Sequence, residues 1–234
     1  MQLQPIRTNE NARASYGATI SAESQKVLRN TYLLLALTMV PTILGAFIGM
    51  STAAVMIQHP IMTMLVMFAA VIGLQFAIVA NRNSALGIVF LLLMTGLLGW
   101  FLGPLLGYAL ALKNGAQLIG YAAGGTGVVF LAMGAIAITT KRDFSFMGKF
   151  LFVGMIALLI AMVANMFLQI PALALTISTL VIVVFSLFLL HDLSRIVTGG
   201  ETNYIVATTG VYMSLFNIFA NLLQILMALA GERD

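Results

Sequence analysis

The residues best suited to chemistry lie at the end of the sixth long apolar segment, where His191, Asp192 and Arg195 fall within about one helical turn. A carboxylate three residues before a guanidinium can pair with it along one helix face. Ionisable groups inside a membrane are rare and are functional candidates. Asp192 is either half of an interfacial ion pair that anchors the helix end or a carboxylate that senses protons or cations. His191 is either an interfacial residue or an imidazole that tunes such a switch near neutral pH.

The last apolar segment carries a stripe of small and polar residues at spacings of four and three, namely Gly210, Ser214, Asn217, Asn221 and Gln224. This spacing places them on one face of an α-helix. The face is predicted to turn inward, because amides exposed to hydrocarbon are costly. It either holds helices together by hydrogen bonds or lines a hydrated cavity. Asn165 and Gln169 form a shorter polar pair on the fifth segment.

No recognised enzyme motif accompanies these residues. The chain has no cysteine, which excludes disulfides, thiolate metal sites and cysteine nucleophiles. It also lacks the Gly-x-Ser-Gly of intramembrane serine proteases, the His-Glu-x-x-His zinc motif and a phosphate-binding glycine loop. Asp192 is the only acid expected in or beside the apolar core, so no aspartyl-protease pair forms. We expect neither an enzyme nor a bound cofactor.

The segments that position these residues are those of a membrane protein. The composition is 61% hydrophobic and 8% charged, whereas soluble domains carry roughly 25% charged residues. A spanning helix needs about 20 mostly apolar residues, and seven segments qualify. They are Thr31–Met50, Pro60–Ala80, Ser84–Leu105, Gln117–Thr140, Phe146–Leu168, Ala172–Leu190 and Asn203–Ala230. The third is extendable to Leu112 with a bend at Pro104. The fold class predicted is an all-α integral membrane bundle of seven transmembrane helices.

The distribution of positive charge predicts the orientation. With the N-terminus in the cytoplasm, nine of the eleven Lys and Arg residues fall on the cytoplasmic side. This agrees with the rule that cytoplasmic loops of membrane proteins carry an excess of Lys and Arg. These nine are Arg7, Arg13, Lys26, Arg29, Arg82, Lys141, Arg142, Lys149 and Arg195, while Lys113 and Arg233 fall outside. We therefore interpret the net charge of +4 as a topology signal and expect no nucleic-acid partner. Residues 1–26 are predicted to form a cytosolic polar tail and residues 27–234 the transmembrane domain, with an external C-terminus.

Glycines recur where helices are expected to touch. The third span contains Gly96, Gly99, Gly103 and Gly107, and the fourth contains Gly120, Gly124, Gly125 and Gly127. Small residues at such spacings let helix backbones approach closely in lipid. We predict packing roles for both sets.

Five sequence blocks carry a family resemblance. They are Lys26-Val-Leu-Arg-Asn-Thr-Tyr32, Gly96-Leu-Leu-Gly-Trp-Phe-Leu-Gly-Pro104, Met162-Val-Ala-Asn-Met-Phe-Leu-Gln-Ile-Pro-Ala172, Gly199-Gly-Glu-Thr-Asn-Tyr-Ile205 and Tyr212-Met-Ser-Leu-Phe-Asn-Ile-Phe219. Together they resemble the Bax inhibitor-1 family, most closely its bacterial YccA-like branch. The resemblance implies a bundle whose seventh helix is surrounded by the other six.

The resemblance implies two possible functions. Some family members are pH-sensitive calcium leaks gated by aspartates on the sixth and seventh helices. Asp192 matches the first aspartate, but Ser214 stands at the position of the second, so the pair whose members would shift each other's pKa is broken. The YccA-like branch is associated with a membrane-anchored, ATP-dependent AAA protease, which implies a bacterial inner-membrane modulator engaged through its cytosolic tail. A proton-sensitive calcium or cation leak is the alternative, and a transporter of an unidentified solute is a third.

Overall fold

The computed structural model describes residues 20–140 and 142–231. Within these residues the regular structure is entirely helical, with no strand. The helices are α1 (Ala22–Ser51), α2 (Ala53–Gln58), α3 (Pro60–Ala80), α4 (Ala85–Ala111), α5 (Gly115–Thr140), α6 (Met147–Leu168), α7 (Pro171–Val197) and α8 (Tyr204–Gly231).

Seven of these helices, all except α2, are long and apolar enough to cross a membrane. The predicted all-α bundle of seven spans is therefore confirmed. Helix α3 has the predicted bounds, α1 begins earlier at Ala22, and α4 continues through Pro104 to Ala111. The short helix α2 occupies what was predicted to be a loop. Residues 22–26 of the predicted tail are helical, residues 1–19 lie outside the described part of the chain, and the cytoplasmic N-terminus stays a prediction.

Local signals in the sequence explain where several helices begin. The Ser21 hydroxyl accepts a hydrogen bond from the Ser24 amide at 3.1 Å and caps α1. Pro60 and Pro171 occupy the first turns of α3 and α7, where their missing N–H costs nothing. Asn203 caps α8, because its side-chain oxygen accepts from the amides of Ile205 and Val206 at 3.0 and 3.1 Å. The connections between these helices are short, so consecutive helices run antiparallel.

Helix α8 lies at the centre of the bundle, as the family resemblance implies. It packs against five of the six other spans, α1, α3, α4, α5 and α7, whereas α6 makes no such contact with it within the described residues. Val211, Ile218 and Leu223 on α8 are completely buried. A helix surrounded by protein can carry polar groups that would be costly on a lipid-facing helix, so this position accounts for the polar stripe.

Helices α1 and α4 pack with their backbones in direct contact. A methyl group at Gly99 would overlap the Thr42 carbonyl of α1, and one at Gly103 would overlap the backbone of Gly49. One side-chain bond adds to this contact, since Trp100 Nε1 donates to Thr52 Oγ1 at the end of α1 at 2.9 Å. A second bond ties α1 to the central helix, where the Thr42 hydroxyl lies 2.8 Å from the Tyr212 hydroxyl of α8. The predicted packing role is confirmed for Gly99 and Gly103.

The glycines of α5 behave differently. A methyl group at Gly120, Gly124 or Gly127 would meet no atom of the described chain within 4 Å, whereas one at Gly125 would meet Leu222 at 3.3 Å. The predicted packing role is therefore wrong for these three glycines within the described chain, and right only for Gly125. The spacing rule finds faces on which a second helix fits, but it does not say whether that helix belongs to the same chain.

Candidate functional site

Asp192 lies in the penultimate turn of α7 and touches two different groups. Its Oδ1 atom is 3.0 Å from Nδ1 of His191, and its Oδ2 atom rests against Gly210 of α8. A methyl group at Gly210 would lie only 2.5 Å from Oδ2. The Asp192 side chain is 22% exposed and that of His191 12%. Glycine at position 210 therefore makes the close approach of α8 to this carboxylate possible.

His191 packs against a second glycine on another helix. A methyl group at Gly148, in the first turn of α6, would lie 2.9 Å from its Nε2 atom. The imidazole is thereby held between α6 and the Asp192 carboxylate. The ring couples the start of α6 to the end of α7, a role that sequence spacing did not indicate.

Arg195 pairs with Glu201 and not with Asp192, contrary to the pairing expected from their spacing. Its Nη2 atom lies 3.4 Å from Glu201 Oε2 and donates to the Gly200 carbonyl at 3.2 Å. The turn after α7 brings Glu201 back toward Arg195, and Gly199 adopts a φ of 79° there, which glycine accommodates without strain. The family-like block beginning at Gly199 thus builds this turn.

The same turn is fastened to the start of α8 and to the loop between α3 and α4. Glu201 Oε1 accepts from the Asn203 amide at 2.9 Å. The Asn203 side chain donates to the Arg82 carbonyl at 2.8 Å and to Asn83 Oδ1 at 3.0 Å. These bonds hold the charged end of α7 in a fixed relation to α3 and α8.

The loop between α5 and α6 covers the end of α7. The Phe144 amide donates to Ser194 Oγ at 3.2 Å. In this loop, hydrogen bonds from the Ser145 hydroxyl and amide lower the pKa of Asp143, and the nearby His191 and Arg195 act in the same direction. Asp143 therefore stays deprotonated to a lower pH than a free aspartate does, and it adds a negative charge near the Asp192 end of the bundle.

A cavity of about 830 Å³ lies between α3, α6, α7 and α8; we call it the α8 cavity. Most of its wall is formed by Met, Phe, Leu, Ile and Val side chains. Its polar lining residues are Gln75, Asp192, Arg195, Glu201, Thr209, Ser214, Asn217 and Asn221. The structure thus brings five of the predicted site residues to the α8 cavity, namely Asp192, Arg195, Ser214, Asn217 and Asn221. Ser214 lies one turn beyond Gly210.

Two amides of the polar stripe each use one N–H within α8. Asn217 Nδ2 donates to the Met213 carbonyl and Asn221 Nδ2 to the Asn217 carbonyl, both at 2.8 Å. Gln224 instead makes an interhelical contact, because its Oε1 atom accepts from Ser178 of α7 at 3.3 Å. The stripe therefore combines both arrangements considered for it: one amide joins two helices, and two others line a cavity.

A smaller cavity of about 190 Å³ lies beyond the first, toward the opposite end of the bundle. Asn165, Ser178, Asn221 and Gln224 line it, and Asn221 borders both cavities. Asn165 also closes the end of α6, since its Oδ1 atom accepts from the Ile170 amide at 3.2 Å. Gln169 ends that helix in the left-handed conformation, with a φ of 52°.

Three polar lining residues were not predicted from the sequence: Gln75, Glu201 and Thr209, whose hydroxyl is bonded to its own helix. Gln75 faces the α8 cavity from α3, and its signal was available, because it is the only amide in the second span. Glu201 gave no such signal, since its approach to Arg195 depends on the turn at Gly199. Among the described residues, no three His, Asp or Glu side chains converge in a way that would hold a metal ion.

Seven apolar helices, one of them central and polar along one face, with a charged cluster at one end and a cavity beside the central helix, define a multi-pass α-helical membrane protein. The sequence profile Bax1-I, described as "Inhibitor of apoptosis-promoting Bax1", matches residues 24–231. That match covers all seven spans almost completely. The chain belongs to the Bax inhibitor-1 family.

Individual relatives are similar over nearly the same length. An "Uncharacterized membrane protein" of Vibrio cholerae is 44% identical over 87% of this chain and 90% of its own. The "Modulator of FtsH protease YccA" of Escherichia coli K12 is 41% identical over 91% of this chain and 94% of its own. The protein of a second Escherichia coli strain, with the same identity and coverage, carries the name "Inner membrane protein YccA".

Proposed function

We propose that this protein is a non-enzymatic protein of the bacterial inner membrane that binds and modulates a membrane-anchored, ATP-dependent AAA protease. The observation that carries the proposal is the similarity, along 91% of the chain, to a relative named as a modulator of the FtsH protease. The N-terminal tail enters the cytoplasm, where the protease engages it, and the C-terminus lies outside. The bundle then occupies the protease because it is extracted slowly.

The packing of α1 gives this competition a physical basis. A protease that pulls from the N-terminus must extract α1 first. That helix contacts α4 backbone to backbone at Gly45, Gly49, Gly99 and Gly103, and Thr42 is hydrogen-bonded to the central helix at Tyr212. Close backbone contact maximises van der Waals attraction, the main force between helices in lipid. Extraction of α1 therefore requires the separation of α1, α4 and α8 together.

Deletion of the tail tests the proposal, and the structure defines where the deletion must end. Removing residues 1–19 keeps Ser21, which caps α1, and the buried Ser24. We expect this variant to remain in the membrane at normal levels while the other substrates of the protease regain the half-lives they have without the protein. A same-length substitution of residues 1–19 by a Gly/Ser sequence is the control for tail length. Substrate half-lives that the deletion leaves unchanged count against the proposal.

A proton-sensitive cation leak is the second candidate function. The α8 cavity and the smaller cavity together place Asp192, Ser214, Asn217, Asn221 and Gln224 along α8 from one end toward the other. An aqueous path for calcium or another cation would follow these groups. This function is favoured less than the first, because Ser214 supplies no second acid to couple with Asp192 and Glu201, the other carboxylate at the cavity, is paired with Arg195.

Flux measurements in liposomes test the leak with two opposite substitutions. If the protein conducts, Asp192→Asn changes the pH dependence of calcium flux, and Ser214→Asp, which restores a carboxylate pair, increases that dependence. Gln117→Asn, at the exposed start of α5 and outside both cavities, serves as the control. Flux equal to that of empty liposomes at every pH rejects the leak and leaves the modulator proposal untouched.

A further inference from the structure

The α8 cavity opens sideways, toward the position of the lipid. Helices α3 and α6 flank it, and within the described residues these two helices do not pack against each other. Phe68 and Ile72 on α3 line the cavity and are 42% and 53% exposed, while Phe152 and Ile156 on α6 line it and are 56% and 40% exposed. Residues that border both the cavity and the outer surface mark a gap between these helices.

The inner wall of the α8 cavity, formed by α8, offers hydrogen-bond donors and acceptors. Asn217 and Asn221 each use one Nδ2–H for a carbonyl of their own helix, so each keeps its second N–H donor and its Oδ1 acceptor to meet a ligand. The Asp192 carboxylate adds an anionic acceptor at one end. A ligand in contact with Asp192 therefore needs N–H or O–H donors, because a carboxylate only accepts, and the opposite wall of Met and Phe side chains requires an apolar body.

The charges at the Asp192 end are of both signs. Arg195 lines the same cavity one turn after Asp192, and its two hydrogen bonds in the described chain both use Nη2. The Nε and Nη1 hydrogens stay available, in a geometry suited to phosphate oxygens. A carboxylate beside a guanidinium is complementary to a head group that carries an ammonium and a phosphate.

We propose that the α8 cavity binds one phospholipid with an ethanolamine head group, which enters from the bilayer between α3 and α6. One acyl chain lies against the Met and Phe wall, the ammonium contacts Asp192, and the phosphate contacts Arg195. The volume of about 830 Å³ lies within the range of pockets that hold small ligands, about 300–1,000 Å³. An ethanolamine ammonium supplies N–H donors to the Asp192 carboxylate, whereas choline supplies none and phosphatidylglycerol carries no ammonium. This inference is independent of the protease proposal.

Native mass spectrometry of the full-length protein tests the binding. The protein is reconstituted in vesicles of equal parts phosphatidylethanolamine, phosphatidylcholine and phosphatidylglycerol. It is then extracted in mild detergent, which is removed in the gas phase. We expect one phosphatidylethanolamine to be retained per chain in preference to the other two. Asp192→Asn should reduce that preference about tenfold, the change expected for loss of one hydrogen bond to a charged group. Arg195→Gln should reduce total phospholipid retention.

A pair of substitutions two residues apart on α6 tests the place of binding. Met155 lines the cavity, while Val153 is 66% exposed on the outer surface. Met155→Trp fills the chain-binding part and should abolish retention, whereas Val153→Trp should leave it unchanged. If Met155→Trp does not fold, judged by its thermal unfolding, the head-group preference of Asp192→Asn decides the question.

Several results overturn the proposal. The unsubstituted protein must not lose all its lipid, and it must not retain the three lipids equally. The preference must not survive Asp192→Asn, and a folded Met155→Trp variant must not retain as much lipid as Val153→Trp. Capture of a second copy of this chain or of another membrane protein in place of lipid, by cross-linking through a cysteine introduced at Gln75, also rejects it. The natural absence of cysteine makes that cross-link specific.

Discussion

Gly210 allows a carboxylate to lie directly against the central helix. Because α8 has no side chain at that point, Asp192 keeps its bond to His191 and still faces the α8 cavity. The sequence reasoning placed Gly210 in the stripe for its spacing alone, and the contact with Asp192 depends on the rotation of α7 against α8. Sequence periodicity identifies the face of one helix, but it does not give the register between two helices.

Gly210→Ala should therefore destabilise the protein. The added methyl group would lie 2.5 Å from Asp192 Oδ2, so the carboxylate must turn away and lose the hydrogen bond to His191. Loss of a bond to a charged group costs about 1.5–3 kcal/mol, and the better helix propensity of alanine returns about 1 kcal/mol. We expect a net loss of roughly 1 kcal/mol in the free energy of unfolding, measured by denaturation in mixed micelles.

Gly124→Ala is the matched control for this substitution. It makes the same chemical change in a helix where the new methyl group meets no described atom within 4 Å. Its stability should equal or exceed that of the unsubstituted protein. Equal effects of the two substitutions contradict the contact between Gly210 and Asp192.

At the scale of the elements, hydrophobicity alone predicted most of the helices. The bounds of α3 were predicted without error, and those of α5, α6 and α8 within two residues. The two larger differences have one cause: α1 starts at Ala22 and α7 continues to Val197 because their polar ends extend beyond the apolar core, where a hydropathy criterion stops. The α8 cavity was not predictable in the same way, since it depends on α3 and α6 standing apart.

The contact between α1 and α4 yields a prediction for an element pair. Gly99→Ala would drive a methyl group into the Thr42 carbonyl of α1, and backbone atoms cannot move aside as a side chain can. Overpacking of this kind costs about 1–3 kcal/mol, so the thermal midpoint should fall. Gly107→Ala, on the same helix with Met50 at 3.9 Å, should be neutral. A midpoint unaffected by Gly99→Ala rejects the close contact.

The whole molecule has a strong asymmetry of charge. Of the seven described Lys and Arg residues, Lys26, Arg29, Arg82, Arg142, Lys149 and Arg195 lie at the Asp192 end, and Lys113 lies at the other. Arg7, Arg13, Lys141 and Arg233, which also entered the sequence argument, fall outside the described residues. The fold thus places the charges as the positive-inside rule requires, and the absolute orientation is a prediction to be measured.

Single cysteines provide that measurement. With the N-terminus in the cytoplasm, a cysteine at Lys113 reacts in intact cells with a thiol reagent that cannot cross the inner membrane, and one at Arg82 reacts only after permeabilisation. Both positions are exposed in loops, so differences in burial do not confound the comparison. The reverse pattern of labelling contradicts the predicted orientation.

The pairing of α1 with α4 has a consequence for biosynthesis. Gly45 of α1 meets its α4 partners about 50 residues further along the chain, which a ribosome adds in roughly 3–10 s at about 5–20 residues per second. During that interval α1 lies in the membrane without α4, its packing partner. The hydroxyls of Thr38 and Thr42 can then form hydrogen bonds only within α1. The nascent chain therefore has an early, seconds-long window in which an insertion chaperone or a second helix can occupy the face later taken by α4.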